Sequence, residues 1–185
     1  GNPDPIMKFL FPTLLLLMAA SCTDLSEYDE DRIDEALTDS LLSVTESWDI
    51  QMEIIEDGYR IVNIRAPYAA TYHEGESETS MRGPVEVLVS DTLGNPITQV
   101  NSDRAIYTGR DSKFQFRGDV VVVTEEGRIL RTQELDWMQQ DRKISSTDFV
   151  TITTSADSLA GYGLSGQDDL SVYTISEVTG EFELD

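Results

Sequence analysis

Phe114-Gln-Phe-Arg-Gly-Asp-Val-Val-Val-Val-Thr-Glu-Glu-Gly-Arg-Ile-Leu130 is the stretch of sequence that decides the fold. Apolar Phe114 and Phe116 alternate with polar neighbours, an apolar run follows from Val120 to Val123, and Gly127 precedes a further apolar pair. Alternation with a period of two is typical of a β-strand that buries one face, and glycine between such segments indicates a turn. The stretch therefore predicts β-strands joined by a turn.

The same pattern continues on both sides of this stretch. Alternating segments occur at Trp48–Ile54, Val85–Val89 and Val150–Thr153, Asp57-Gly58 is a strong tight-turn signal, and Leu170–Ile175 is a candidate last strand. Short strands separated by turn signals predict an all-β sandwich or barrel-like fold. No segment after residue 45 shows helical periodicity, and residues 46–185 are long enough to form one domain with a single core.

The chain also resembles itself when it is shifted by 30 residues. At this offset, apolar positions fall on apolar positions. A period of 30 residues is the length of two strands with their turns. The repeat therefore predicts stacked copies with a continuous interior and two free sheet edges. The coincident pairs are Ala105 with Leu135, Tyr107 with Trp137, Asp111 with Asp141, Lys113 with Lys143, Phe114 with Ile144, Val120 with Val150, Val122 with Ile152, Thr124 with Thr154 and Ile129 with Leu159.

Residues 1–21 have the features of a signal peptide. Met7-Lys8 supplies a start and a positive charge, and the apolar stretch Phe9–Ala20 is shorter than the roughly 20 residues that span a bilayer. Residues 1–6 then precede the start as extra residues. Ala19-Ala20-Ser21-Cys22 resembles a bacterial lipobox, so we expect cleavage before Cys22 and lipidation of its thiol. The alternative is a plain secretory signal with an incidental cysteine.

Residues 22–45 predict an acidic tether between this anchor and the domain. Many of its side chains are carboxylates, which favour an extended, solvated chain. Ile33, Leu37, Leu41 and Val44 recur at helical spacing, so a short helix is predicted over 32–44. We expect such a helix to pack on its own domain rather than to bind a partner.

Composition excludes several classes of function. The formal net charge is −22, whereas a nucleic-acid-binding protein needs a basic face. Cys22 is the only cysteine and His73 the only histidine, so an intramolecular disulfide and a zinc site built from these residue types are not expected. The acidic surface also fits a high-salt habitat, where carboxylates keep a protein soluble. Unfolding midpoints measured from low to molar salt would test this hypothesis.

Candidate catalytic patterns are weak. Gly161–Gly166 spells GxGxxG, but a dinucleotide site needs a following helix, and we expect a strand there. These glycines favour a sharp bend or bulge instead. His73 lies in a polar loop, which does not suit a catalytic triad, and no pair of carboxylates is marked out for glycoside hydrolysis. We therefore expect no enzyme activity and no cofactor.

Ordered motifs from residue 100 onward resemble the LptC/OstA-like family of lipopolysaccharide-export proteins. Asp103–Tyr107 resembles its A-D-x-A-x-Y element, Gly118–Val122 is similar to its G-x-V-x-V strand, and Gly127–Trp137 resembles G-x-x-L-x-T-x-x-L-x-W/Y. Segments within 144–152 and 161–164 follow in the family's order. The sequence departs from the pattern at position 102, which is Ser rather than Ala, and in having a lipobox rather than a transmembrane anchor.

The resemblance implies an open β-jellyroll, shaped like a taco shell, with an apolar interior. It implies a periplasmic protein, anchored by lipid to the inner membrane, that accepts lipopolysaccharide from an inner-membrane ABC transporter. The protein would then pass this lipid to an LptA/OstA-like bridge protein. Pairing of edge strands is expected to join the domains, with Trp48–Ile54 facing the transporter and the C-terminal strand facing the bridge.

Period-two strands place one complete face inward, and this face is the candidate site for lipid A acyl chains. The expected interior residues are Phe114, Phe116, Val120, Val122, Leu130, Leu135, Trp137, Val150, Ile152 and Leu164. The alternative for each of these residues is that it only packs a closed core without a ligand. Two alternatives stay open: a β-sandwich envelope lipoprotein with a scaffolding or adhesion role and no lipid cargo, and an envelope hydrolase.

Overall fold

The computed structural model describes residues 44–73 and 77–183, with side chains as far as residue 180. Within these residues the chain forms nine strands in one antiparallel sheet, in which every strand pairs with its neighbours in sequence. The strands are β1 (Val44–Glu56), β2 (Tyr59–Tyr72), β3 (Glu78–Ser90), β4 (Pro96–Thr108), β5 (Lys113–Thr124), β6 (Ile129–Met138), β7 (Lys143–Thr153), β8 (Asp157–Gln167) and β9 (Tyr173–Glu183). The sheet does not close, so β1 and β9 are its edges. The all-β prediction is confirmed.

The chain before β1, residues 1–43, lies outside the described residues. The predicted signal peptide, Cys22 and nearly all of the predicted tether and of the helix over 32–44 fall in this part. Val44 and Thr45, which end those two segments in the sequence-based prediction, form the first residues of β1.

The strands are bent near their middles, and the bends fold the sheet over on itself. The pairing register slips between Arg82 and Val85 on β3 and between Arg117 and Val120 on β5, with similar slips along the sheet. Gly83 lies on this bend line with φ +92°, and a Cβ atom added there would lie 2.4 Å from Pro67 Cγ. Bulges sharpen local twist and bending. The bends bring the two halves of each strand to opposite sides of one interior, as in an open jellyroll.

Buried hydroxyl groups donate hydrogen bonds to backbone carbonyl oxygens at the bends. Ser102 Oγ donates to the carbonyl oxygen of Arg104 at 3.0 Å, and Thr132 Oγ1 donates to that of Glu134 at 3.2 Å. Residues 102 and 132 are 30 residues apart, so they are equivalent in the repeat. Each makes the same kind of hydrogen bond, to the carbonyl oxygen two residues later, at the bend of its own strand. Because an unpaired buried carbonyl costs free energy, the serine that departs from the family pattern has a structural role.

The internal repeat is confirmed by the turns at one end of the sheet. The turns 109–112 and 139–142 have the same form, with left-handed backbone at Ser112 (φ 48°) and Arg142 (φ 54°). The backbone N–H of Gln139 donates to the carbonyl oxygen of Ser112, and the backbone N–H of Asp168 donates to that of Arg142, both at 3.0 Å. Successive turns are therefore stacked through their backbones.

The glycine-rich segment at 161–166 lies in β8 and not before a helix. The register between β8 and β9 slips at Ala160/Gly161, and Gly163 has φ +74°. A Cβ atom at Gly161 would lie 2.2 Å from the carbonyl oxygen of Glu177, so only glycine lets β9 approach this closely. The expected bend or bulge is confirmed.

The predicted last strand, Leu170–Ile175, is wrong in its extent. The strand is Tyr173–Glu183, and Leu170 lies in the preceding turn with φ +56° and its side chain completely buried. An apolar residue that packs inward from a turn has the same pattern in sequence as one that packs inward from a strand. This ambiguity is the physical reason for the error.

Candidate functional site: the apolar interior

All ten residues predicted to face inward lie in one buried hydrophobic cluster. Each is at most 3% exposed, and together they come from β5, β6, β7 and β8. The sheet brings them together because alternate residues of every strand point to the same face. They are Phe114, Phe116, Val120, Val122, Leu130, Leu135, Trp137, Val150, Ile152 and Leu164.

Aromatic rings cluster in this interior near the turns that join β4 to β5 and β6 to β7. The Phe114 ring lies 4.6 Å from Tyr107, 5.1 Å from Trp137 and 5.7 Å from Phe116, measured between ring centroids. Tyr107 and Trp137 are equivalent in the 30-residue repeat, so the repeat places large rings in consecutive layers. Offset pairs of this kind contribute about 0.5–1.5 kcal/mol each beyond their burial.

The interior extends beyond the predicted residues into β2 and β3. Ile64, Met81, Val85 and Val87 are as completely buried as the central residues and belong to the same cluster. The alternation at Val85–Val89 was the sequence signal for two of them. Met81 follows no such regular alternation, because Gly83 and the bend interrupt β3.

The interior is filled in this structure. The enclosed space bounded by Val89, Phe116, Leu135 and Trp137, among others, amounts to about 10 Å³. A space of that size holds at most one water molecule. An acyl chain could therefore occupy this part of the interior only if the two halves of the sheet moved apart or side chains rearranged.

A larger cavity lies where the two halves of the folded sheet approach each other, and we call this place the mouth. The cavity measures about 420 Å³ and is bounded by Glu56, Val89 and Ile97 from one half and by Trp137 and Arg142 from the other. Because Trp137 and Val89 also bound the enclosed interior, the mouth leads directly to the apolar cluster.

Three long hydrogen bonds between described residues join the two halves of the folded sheet, and the first of them lies at the mouth. Gln139 Nε2 donates to Glu56 Oε2 at 3.5 Å, and Thr98 Oγ1 donates to the carbonyl oxygen of Asp168 at 3.5 Å. Arg128 donates from Nη1 to the carbonyl oxygen of Asp169 at 3.4 Å. Distances of this size lie beyond the usual range for strong hydrogen bonds. The halves are therefore joined mainly by apolar packing.

A buried carboxylate lies at the mouth. Asp168 is only 5% exposed, and it accepts hydrogen bonds from Arg142 Nε at 3.2 Å and Nη2 at 3.0 Å. The hydrogen bond to Asp168 and the charge of that carboxylate raise the pKa of Arg142 above its ordinary value. Both bonds end on Asp168 Oδ1, and this charged pair offsets the desolvation of Asp168 and fixes the turn next to Arg142.

One buried donor lies at the boundary between the interior and the mouth. Among the described side chains, Trp137 Nε1 is the buried nitrogen that has no hydrogen-bond partner. A buried unpaired N–H costs free energy, so the packing of this ring compensates for it.

The outer face of the sheet is polar at its centre. Arg117 pairs with Asp136 at 2.9 Å, and Lys113 pairs with the same carboxylate at 2.8 Å. Desolvation of Asp136 is outweighed by hydrogen bonds from Lys113 and Arg117, which lower its pKa below the ordinary 3.8. The two edge strands differ from this polar centre because they expose apolar side chains. Trp48 on β1 is 67% exposed, and Val178 on β9 is also exposed.

The described part of the chain supports neither a metal site nor a helix that spans a membrane. Between residues 44 and 183, leaving out 74–76 and side chains beyond 180, acidic residues, histidine and cysteine do not gather in groups of three that could hold a metal ion. Within the same ranges, we find no helix with the length and apolar character needed to cross a membrane.

The model of the family described as "Lipopolysaccharide-assembly, LptC-related" matches residues 13–183, which is nearly the whole chain. The chain belongs to this family. Membership makes it a periplasmic component of lipopolysaccharide transport that is associated with the inner membrane, and it confirms the resemblance drawn from the motifs. A comparison with curated proteins finds no match.

Proposed function

We propose that the protein accepts lipopolysaccharide from an inner-membrane ABC transporter and passes it to an LptA/OstA-like bridge protein. The observation that supports this most directly is a continuous apolar interior in a sheet that stays open at both edges. The protein acts by binding and transfer rather than by catalysis, and it requires no cofactor.

The physical need for such an interior follows from the cargo. Each methylene group of an acyl chain that leaves water for an apolar surface gains about 0.8 kcal/mol. A lipid with several acyl chains therefore needs a sheltered route across an aqueous compartment. The ten interior residues named above are the proposed lipid-contacting surface, reached through the mouth.

The two edges of the sheet are the proposed contacts with neighbouring proteins. An exposed edge strand leaves backbone N–H and C=O groups unpaired and favours the addition of another strand. The segment Trp48–Ile54 in β1 is proposed to face the transporter, and β9 is proposed to face the bridge. Exposed Trp48, Ile55 and Val178 supply apolar contact area at these edges.

The anchor is proposed to be a lipid on Cys22, which would hold the domain near the inner membrane. This proposal rests on the lipobox-like residues 19–22 and on the apolar stretch before them. Mass spectrometry of the mature N-terminal peptide tests it, because an unmodified Cys22 thiol would contradict it.

Photo-crosslinking in cells tests the transfer function. Crosslinkers are placed at Trp137 and Val150, which face inward, and at Phe149, which is next to Val150 but exposed on the outer face. We expect the two inward positions to capture lipopolysaccharide while the transporter is active, and Phe149 to capture much less. Failure of both inward positions would reject the proposal.

The filled interior favours one alternative function. A domain with only about 10 Å³ of space between Phe116, Leu135 and Trp137 could serve as a scaffold or adhesion module without lipid cargo. Depletion of the protein separates the two functions. If lipopolysaccharide export continues at its normal rate without the protein, the scaffold function is supported and the transfer function is not.

A further inference from the structure

The turn formed by residues 168–172, which we call the mouth turn, contributes an unusual interior residue. Leu170 is completely buried and belongs to the hydrophobic cluster. In the part of the chain that the structure describes, every other member of that buried cluster lies on a strand. Asp168, the first residue of this turn, bounds both the small interior space and the mouth, so the turn lies at the boundary between them. Leu170 packs into the interior from this turn, whereas the strands form the walls of the interior.

Leu170 is held in an unfavourable backbone conformation. Its φ of +56° lies in the left-handed region, where a side chain as large as leucine is uncommon. Residues in such conformations persist when surrounding contacts hold them, and they concentrate at clamps and switch regions. Burial of the leucine side chain is the contact that holds this one.

The mouth turn is attached firmly on one side and weakly on the other. On its own side, the Asp168 amide donates to Arg142 O at 3.0 Å, and the Arg142 guanidinium binds the Asp168 carboxylate. Towards the facing half, its hydrogen bonds are those from Thr98 at 3.5 Å and from Arg128 at 3.4 Å. Because the hydrogen bonds to the facing half are long, movement of the turn about its attachment to Arg142 is opposed mainly by the burial of Leu170.

We propose that the mouth turn is a gate, and that withdrawal of Leu170 from the interior admits acyl chains through the mouth. This inference rests on the proposed transfer function, because a protein without lipid cargo has no need of a gate. Opening releases the left-handed strain at Leu170 and breaks the two long bonds to Thr98 and Arg128. Closing restores the filled interior seen in the structure.

Two leucine variants of the full chain test the gate. Leu170→Ala removes the side chain by which the mouth turn packs into the interior, whereas Leu159→Ala removes the same atoms from a partly buried position on β8. The rate at which a crosslinker at Val150 captures purified lipopolysaccharide is measured for both. We expect Leu170→Ala to capture at least about threefold faster than wild type, and Leu159→Ala to differ little from it. Equal rates in the two variants would overturn the gate.

Hydrogen exchange in the wild-type protein gives a second test that needs neither variant nor lipid. The Leu170 amide donates to Gln167 O at 3.0 Å, and the Arg142 amide donates to Gln139 O at 3.2 Å in the preceding turn. Burial and bond length alone predict slower exchange at Leu170. A gate predicts the opposite order, with Leu170 faster by about tenfold after correction for intrinsic rates.

The two tests separate failure of the gate from failure of the proposed function. If wild-type Val150 captures lipopolysaccharide but Leu170 exchanges more slowly than Arg142, the transfer function stands and the gate is rejected. If Val150 captures nothing, the transfer function is rejected whatever the exchange rates are. Faster exchange at Leu170 together with faster capture by Leu170→Ala supports the gate.

Discussion

The central strands and the edge strands of the same sheet differ in how completely they are packed. In β4–β7, inward residues such as Phe114 and Val150 are completely buried between neighbours on both sides. In β1, the inward residues Ile50, Met52 and Ile54 are only partly buried, because there is no strand beyond them. On β9, the residues that follow Ile175 are exposed as far as Thr179.

This difference shows how one repeating pattern can serve two purposes. A repeat unit buries its apolar face only when it has neighbours, so stacked units are most stable in the middle. The centre of the sheet therefore supplies the stability of the isolated domain. The edges keep unpaired backbone and incompletely buried side chains, which a neighbouring domain could cover by adding a strand.

The largest expected effect comes from the centre of the sheet. Phe114→Ala removes a completely buried ring that contacts Tyr107, Phe116 and Trp137, and we expect a loss of about 3–5 kcal/mol in the free energy of unfolding. Trp48→Ala, at the β1 edge, should cost less than about 1 kcal/mol because that ring is 67% exposed. Urea unfolding measures both. Similar losses would show that the edge is as tightly packed as the centre.

A smaller effect is expected where β9 approaches the sheet. Gly161→Ala places a methyl group 2.2 Å from the carbonyl oxygen of Glu177, so β9 must move away, at a cost of about 1–3 kcal/mol. Gly109→Ala is the matched control, since its nearest neighbour would be Tyr107 at 3.8 Å. We expect hydrogen exchange of β9 amides to accelerate only in the first variant. Unchanged exchange in β9 would contradict the close-approach role of Gly161.

The sequence was sufficient to predict the interior of the central strands. Alternation at Phe114 and Phe116, and again at Val150 and Ile152, indicates which face is buried, because one face of a strand points inward along its whole length. The 30-residue shift also predicted which residues are equivalent, and Ser112 and Arg142 adopt the same left-handed turn. Local patterns were enough because these strands pair only with their neighbours in sequence.

The mouth could not be predicted in the same way. Contacts such as those of Gln139 with Glu56 and of Thr98 with Asp168 join residues far apart in the chain, and they depend on the angle at which the sheet bends. Leu170 was assigned to a strand because nothing in its neighbours marks a left-handed turn. Bend angles arise from bulges and close packing, which local alternation does not encode.

The smallest expected effect concerns the outer face of the central strands, where Asp136 pairs with Lys113 and Arg117. The pKa of Asp136 is lower in the folded protein than its ordinary 3.8, although desolvation opposes this, because hydrogen bonds from both cations favour the carboxylate. Its contribution to stability is therefore complete above about pH 4 and is lost as the pH falls through the lowered pKa. Since these groups are about one-third exposed, solvent screening limits the contribution to at most about 1 kcal/mol.

Asp136→Asn should accordingly lower the free energy of unfolding by at most about 1 kcal/mol at pH 6, and the difference from wild type should shrink towards pH 3. Asp141→Asn is the matched control. Asp141 is exposed in the turn 139–142, so this variant should change the free energy of unfolding little at either pH. Urea unfolding at both pH values measures the four differences. A constant difference across the range would mean that the pair of Asp136 with Arg117 and Lys113 does not titrate with folding, and that apolar packing alone distinguishes the centre of the sheet from its edges.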